Sequence, residues 1–386
     1  MAVDLRTDNL VKKLVHYRRE LHQYPELSLK EYETTERIKG WLTEAGIAIR
    51  DYGLETGVIA EVVGDLEGPT IAIRADIDAL PIVEEVNTLF KSKHQGVMHA
   101  CGHDFHTSSI IGAALLLEEN KENLKGTVRF IFQPAEEIAQ GAKLVVESGA
   151  LEGASAIFGM HNKPDLAVGT VGVRSGALMA SADRFELDVI GLGGHAGIPH
   201  ATVDPIVVAS QIVTAFQSII SRNTSSFDNT VLSVTQLHAG SAWNVIPEKA
   251  FLEGTVRSFQ AEARHEIPAL MERTAKGIAE AYGASIDFRW YPYIPVVENN
   301  PQLETLVTEA AKDWGYEVVE AKQVAGGEDF AFYQSKLPSF FVWMGVDGSR
   351  DWHHPEYHLN EDALLVSARY FSTLAEKALD YFSGWK

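Results

Sequence analysis

The run Gly126-Thr127-Val128-Arg129-Phe130-Ile131-Phe132-Gln133, continued by Pro134-Ala135-Glu136-Glu137, decides the fold. Its β-branched and aromatic residues make a strand, and apolar side chains occupy nearly consecutive positions. A strand written this way is buried on both faces, as in a parallel sheet covered by helices on each side. The same grammar runs outward from it. Residues 57–63 and 70–77 read as strands separated by the turn Gly64-Asp65-Leu66-Glu67-Gly68-Pro69, and residues 154–160 as another. Between and before them the period changes to helical. Leu10, Leu14, Tyr17 and Leu21 share one face and Pro25 closes that helix; further helices are expected over 28–46, 107–119 and 142–148. Strands alternating with helices define an α/β domain with a mostly parallel sheet.

Near residue 183 the pattern changes. Strand 184–190, helix 205–221, strands 230–237 and 250–256, helix 261–282 and strand 284–290 follow in the order β-α-β-β-α-β, a ferredoxin-like α+β unit. Pro268 falls inside the second of these helices, so it must kink that helix or start it late. After Pro295 the α/β grammar returns, with helix 301–314, strands 316–321 and 340–346, and a last helix over 362–382. The chain is therefore expected to form a discontinuous catalytic domain, residues 1–182 and 296–386. A smaller lid domain, residues 183–295, is inserted in it, with hinges near 178–184 and 292–298.

Composition narrows the function. The 386 residues are 46% hydrophobic and 22% charged, enough for a sizeable core. With 33 Lys+Arg against 53 Asp+Glu the net charge is −20, which repels nucleic-acid backbones and anionic lipid. A single Cys excludes an internal disulfide framework and fits a reducing compartment. The start Met1-Ala2-Val3-Asp4-Leu5-Arg6 lacks the pattern of a signal peptide, and the apolar stretch 206–220 is broken by polar residues. A soluble, cytoplasmic protein is expected.

The densest chemistry lies in Met98-His99-Ala100-Cys101-Gly102-His103-Asp104-Phe105-His106. In a loop entering the helix at Thr107, Cys101 and His103 can converge on one borderline-soft divalent metal. The pair Glu136-Glu137 follows a strand, at the sheet edge where ligands of α/β proteins collect. Adjacent carboxylates divide naturally into a ligand, Glu137, and a general base, Glu136, acting on water activated by the metal. His161-Asn162 ends a further strand. Trp352-His353-His354-Pro355-Glu356-Tyr357-His358 forms a loop before the last helix. Each of these alone reads as ordinary surface or core chemistry; four such segments at one sheet edge read as a metal centre. In Arg74-Ala75-Asp76-Ile77-Asp78-Ala79-Leu80-Pro81, Asp78 can orient a ligand imidazole from behind, and Asp104, next to His103, is placed in the same role.

These segments resemble the motifs of the aminoacylase/carboxypeptidase metallopeptidase family. They are most similar to its amidohydrolase subgroup, which includes hippurate hydrolases and indoleacetyl-amino-acid hydrolases. Gly193-Gly194-His195-Ala196-Gly197-Ile198-Pro199-His200, Trp243-Asn244-Val245-Ile246-Pro247, Gly254-Thr255-Val256-Arg257-Ser258-Phe259 and Gly326-Gly327-Glu328-Asp329-Phe330 extend the resemblance over nearly the whole chain. It implies two divalent ions per subunit (Zn, Mn, Ni or Co) and a lid through which subunits commonly dimerise. Cys101, His103, Glu137 and His161 then become ligands and Glu136 the base. His353 becomes the last ligand, with His354 and His358 close enough to compete. Asp76 stands where the peptidase relatives carry a metal-binding His, and Cys101 compensates for it. His195 is implied as the donor to a developing oxyanion, and Asn244 and Arg257 as the groups that hold a substrate carboxylate.

The expected activity is metal-dependent hydrolysis of the amide in a small N-acyl amino acid. Three rivals compete with it: a dipeptidase or carboxypeptidase of the same family, a thiol hydrolase built on Cys101 with His103, and a metal- or ligand-binding protein without turnover.

Overall fold

The computed structural model describes residues 5–384. The chain forms two compact units. The first comprises Met1–Gly176, Glu298–Lys322 and Asp329–Lys386, and the second Ala177–Val297 with Gln323–Glu328. The second unit thus begins six residues before 183 and takes in a short segment from beyond 295.

Among the described residues of the first unit, eight strands make one sheet. Their order is Ala48–Arg50, Val58–Val63, Lys125–Gln133, Leu66–Asp76, Ala154–Lys163, Ser339–Gly345, Thr170–Val173 and Glu317–Glu320. The four central strands, from Lys125–Gln133 to Ser339–Gly345, are mutually parallel. Asp76 pairs with Gln133 and His161 with Trp343, so the carboxyl ends of these strands lie along one edge. Every residue of Ser339–Gly345 is buried, and the last six of Lys125–Gln133 are too; neighbours facing opposite sides are equally dry. That is the physical meaning of the continuous apolar runs.

Helices Leu5–Gln23, His103–Glu119 and Ala363–Ser383 pack together on the sheet. Leu14, Phe105, Ile110, Phe130, Phe371 and Leu374 belong to the same core cluster. Gly112 permits this approach. A Cβ there would stand 2.8 Å from the Cβ of Ala368 and 2.9 Å from Leu14 Cδ2, so even alanine would push the helices apart.

In the second unit the order of elements is strand Ala182–Ile190, helix Pro205–Arg222, strands Thr230–Ala239 and Lys249–Ser258, helix Ala261–Ala281 and strand Ser285–Ile294. The four strands form an antiparallel sheet with Lys249–Ser258 and Ala182–Ile190 at its centre. Burial alternates strictly along Lys249–Ser258, giving one dry face. Phe185, Leu187, Ile212, Phe216, Leu252 and Met271 fill the space between that face and the helices. Asp204 caps the first helix by accepting the N–H of Ile206 at 2.9 Å, with Pro205 in its first turn. Pro268 does not delay the second helix, which already starts at Ala261.

Three expectations are corrected here. The segment read as the turn 64–69 contributes Leu66–Pro69 to the strand Leu66–Asp76, and a register shift between Leu66 and Thr70 absorbs the proline. Helix 107–119 starts four residues earlier, at His103. Strand 154–160 continues through His161 and Asn162 to Lys163. Among the described residues no helix is long and apolar enough to cross a membrane.

Candidate metal centre

Gly102 makes the Cys101–His103 turn possible. It sits at φ 84°, ψ 23°, the left-handed region, and a Cβ there would lie 2.5 Å from Asn162 Nδ2 and 2.8 Å from the Tyr357 hydroxyl. Cys101 therefore precedes the helix while His103 opens it, and both side chains are buried. Three groups of ligand atoms result, each within 4.8 Å: Cys101–His103–His161, Cys101–Glu137–His353 and His103–Glu136–Glu137. They share members, so the five expected ligands and Glu136 form one cluster inside the first unit.

The protons are placed by what stands behind each imidazole. His161 Nδ1 lies 2.9 Å from the Asn162 carbonyl, which can only accept, so Nδ1 carries the proton. Its Nε2 lone pair is left facing Cys101 Sγ at 3.3 Å. Burial, together with nearby His106, holds the His161 pKa well below the ordinary value, so the ring is neutral. His103 Nδ1 lies 3.2 Å from Asp78 Oδ1, within hydrogen-bond reach. The other nitrogen, His103 Nε2, is buried without a hydrogen-bond partner, as is Glu137 Oε1, and the two are 3.8 Å apart.

Two orphaned polar atoms aimed at one point carry a desolvation cost that a cation would remove. Thiolate, imidazoles and carboxylate are moreover donors that suit a divalent transition metal. The residues fit the group. The field at this point favours positive charge as well. Burial disfavours an imidazolium at His103, yet Asp76, Asp78 and Glu137 outweigh it and raise its pKa to about 10. Burial likewise lifts the Glu137 carboxyl to about 7, against the pull of His103.

His353 stands at φ 64° in its loop, and its backbone N–H donates to the Ala100 carbonyl at 2.9 Å. That bond ties the loop to the Cys101 segment and sets His353 Nε2 3.6 Å from Glu137 Oε2. Of the competing histidines, His354 Nδ1 instead accepts the N–H of Glu356 at 3.0 Å, and the His358 ring lies against Phe90. Asp76 is spent on Arg74 at 2.7 Å and His106 at 2.6 Å.

Asp104 departs from its expected role. It accepts from Arg18 at 2.9 Å and from His22 at 2.8 Å, and among the described residues no hydrogen bond joins its side chain to a candidate ligand. The helix begins at His103, so the next side chain points about 100° away around the axis. The sulfur lies 3.3 Å from His161 Nε2, within hydrogen-bond reach of that ring.

Asn162 was quoted in the sequence without a role. Its amide nitrogen donates to the Cys101 carbonyl at 2.6 Å, and its Oδ1 accepts from Tyr357 at 2.6 Å and Trp352 at 3.0 Å. One buried side chain thereby binds together the segments that carry Cys101, His161 and His353. His106 accepts the Asn162 backbone N–H at 2.9 Å. The signal for His106 was its spacing, one helical turn beyond His103 on the same face. Behind the carboxylate pair, Gln133 accepts from Arg74 at 2.8 Å and Tyr333 at 2.7 Å and donates to Asp329 at 2.9 Å.

The remaining expected residues belong to the second unit. His195 and Val245 pair across a short antiparallel ladder, and the Ala196 N–H donates to the Asn244 carbonyl at 3.1 Å, so His195 and Asn244 are neighbours. His195 Nδ1 accepts the N–H of Gly197 at 2.9 Å; its proton is therefore on the exposed Nε2. Arg257 is half-buried, and burial lowers its pKa. Asp183 faces it, but Arg264 already takes both oxygens of that carboxylate, at 2.9 and 2.7 Å.

A parallel-sheet domain carrying thiolate, imidazole and carboxylate donors at the carboxyl ends of its strands defines a metallohydrolase architecture. The chain belongs to peptidase family M20/M25/M40, whose profile matches residues 72–377. It is 58% identical over 369 residues to an N-acetylcysteine deacetylase of Bacillus subtilis (strain 168), covering 95% of this chain and 97% of that one. To an N-acyl-L-amino acid amidohydrolase of Geobacillus stearothermophilus it is 42% identical over 292 residues, 75% of this chain and 79% of the relative. Among solved structures, the Bacillus subtilis YXEP protein, described as a dinuclear metal binding peptidase from the M20 family, superposes with a TM-score of 0.90. The two are 53% identical, over 97% of this chain and 99% of that one.

Proposed function

We propose that the protein is a metal-dependent hydrolase of N-acyl amino acids, short acyl groups such as acetyl included. The observation that carries this reading is the convergence of Cys101, His103, Glu137, His161 and His353, with Glu136 beside them. These five side chains would hold two divalent ions, of zinc, manganese, nickel or cobalt. Such ions polarise an amide carbonyl and bring the pKa of water down to about 7.

Glu136 takes the proton from the attacking water and returns it to the leaving nitrogen as the C–N bond breaks, so a free amino acid and a carboxylic acid are released. Asp78 holds His103 in the tautomer that directs Nε2 forward. His195, protonated on Nε2, serves as the donor to the carbonyl oxygen as charge develops there. Arg257, through its planar guanidinium fork, takes the amino acid's carboxylate together with Asn244. We further propose a cytoplasmic homodimer formed through the second unit, whose strand Thr230–Ala239 pairs on one side only.

Metal analysis of the purified protein, with N-acetyl, N-benzoyl and indoleacetyl amino acids assayed beside dipeptides, tests the reading. Turnover of acyl amino acids that stops with chelation supports it; dipeptide turnover alone would move the assignment to a peptidase.

A further inference from the structure

Glu31 stands at the N-terminus of the helix Tyr32–Glu44 but does not cap it. Glu26 does that work, its two oxygens accepting the N–H groups of Glu33 at 3.2 Å and Thr34 at 2.7 Å. The Glu31 carboxylate turns inward instead and is fully buried. Oε1 accepts the N–H of Ala135 at 2.8 Å and Oε2 the hydroxyl of Thr56 at 2.9 Å.

Ala135 is the residue before Glu136, and it sits at φ 53°. A non-glycine residue in that region is strained, and such strain persists only where the surroundings over-determine it. The Glu31 carboxyl, lifted by burial and by nearby Asp78 to about 7, presents an oxygen to that N–H in either protonation state. That oxygen meets the amide of one of the two strained residues in this turn, Ala135 and, at φ 51°, Ala139. The same segment grips the far side of the pair. Ser28 donates to Asp78 Oδ2 at 2.7 Å, and that oxygen accepts the N–H of Glu137 at 3.1 Å.

We propose that Glu31 is a positioning residue for the general base: by holding the Ala135 amide it keeps the strained turn that aims Glu136. The inference rests on the reading of Glu136 as that base. Glu31 acts through the backbone and touches neither the candidate ligands nor a reacting atom. Helix capping does not explain its burial, because Glu26 supplies the cap.

The test compares E31A and E31Q with the parent, all loaded with the same metal. Three quantities are read: kcat and KM on an N-acetyl amino acid, metal bound per chain, and amide exchange of residues 133–140 in the metal-free protein. For E31A the expectation is a kcat lower by about 10- to 100-fold, since small misplacements of a reacting group cost that much. KM and bound metal stay at parental values, and exchange in 133–140 is faster. E31Q keeps an oxygen facing Ala135 and recovers most of kcat. Parental kcat and exchange in E31A would overturn the proposal, as would a loss that merely follows metal content or an E31Q no better than E31A. Should E31A not fold, Thr56→Val removes the second donor to the carboxylate: faster exchange with lowered kcat supports the proposal, and parental values refute it. A parent inactive on every amide counts against the hydrolase reading itself, while the exchange comparison still decides whether Glu31 holds Ala135.

Discussion

Replacing Gly102 by Ala puts the account under the most physical strain. The new side chain enters a position at φ 84°, where an L-residue costs about 1–2 kcal/mol. Its Cβ would lie 2.5 Å from Asn162 Nδ2 and 2.8 Å from the Tyr357 hydroxyl. Neither can yield freely. Asn162 is held to the Cys101 carbonyl at 2.6 Å and Tyr357 to Asn162 Oδ1 at 2.6 Å, so retreat breaks a buried hydrogen bond. Overpacking of this kind costs about 1–3 kcal/mol, and each lost buried bond about 1 kcal/mol more. With one bond lost the sum is about 3–6 kcal/mol, a large part of the usual ~5–15 kcal/mol of a domain. Urea unfolding of the metal-free variant, followed by tryptophan emission, reads that loss; Trp352 lies against His161 and reports the site directly. The surviving folded protein should also bind metal more weakly, since Cys101 and His103 are displaced relative to each other. A G102A protein within about 1 kcal/mol of the parent and with full metal content would refute the reasoning.

Glu136→Gln keeps the shape but cannot accept a proton; single-turnover hydrolysis should slow by about 10²- to 10⁴-fold with metal content unchanged, and near-parental chemistry would remove Glu136 from the base role. Asn162→Ala releases three segments at once, so metal affinity should fall, as read by competition with a chelating dye; unaltered affinity would contradict its role as a clamp. His22 gives a pH dependence whose sign is fixed. Burial opposes its charge, but Asp104 and Glu84 prevail and hold its pKa above the ordinary 6.5. The stability this adds is complete below about 6.5, the unfolded value, and is lost as pH rises through the folded one. The unfolding free-energy gap between the parent and His22→Asn should therefore shrink from acid to alkaline pH; a gap that widens would show the ring to be neutral.

The parallel sheet and the candidate ligands were legible because each leaves a local mark: continuous apolar runs, a Cys-x-His, a carboxylate pair after a strand. What stayed hidden depends on partners far away in the chain. Asp104 looks like a neighbour of His103, but its real partners lie 86 and 82 residues earlier, at Arg18 and His22. Glu31 reads as a helix opener, and only its contact with Ala135, 104 residues on, gives it another meaning. The strand seemed to end at Met160 because polar residues follow it. His161 and Asn162 continue it since every polar group they bury is hydrogen-bonded. The early start of the helix at His103 was masked by the absence of a capping side chain; a left-handed glycine stands in that place.

Cobalt titration of the metal-stripped protein tests the central claim most directly. The chain has a single cysteine, so any thiolate-to-cobalt charge-transfer band must arise from Cys101. The account predicts that this band grows with added Co²⁺, that hydrolysis of an N-acetyl amino acid returns in step with it, and that Cys101→Ser abolishes the band. Full activity in the stripped protein, or saturation with cobalt without any such band, would contradict it.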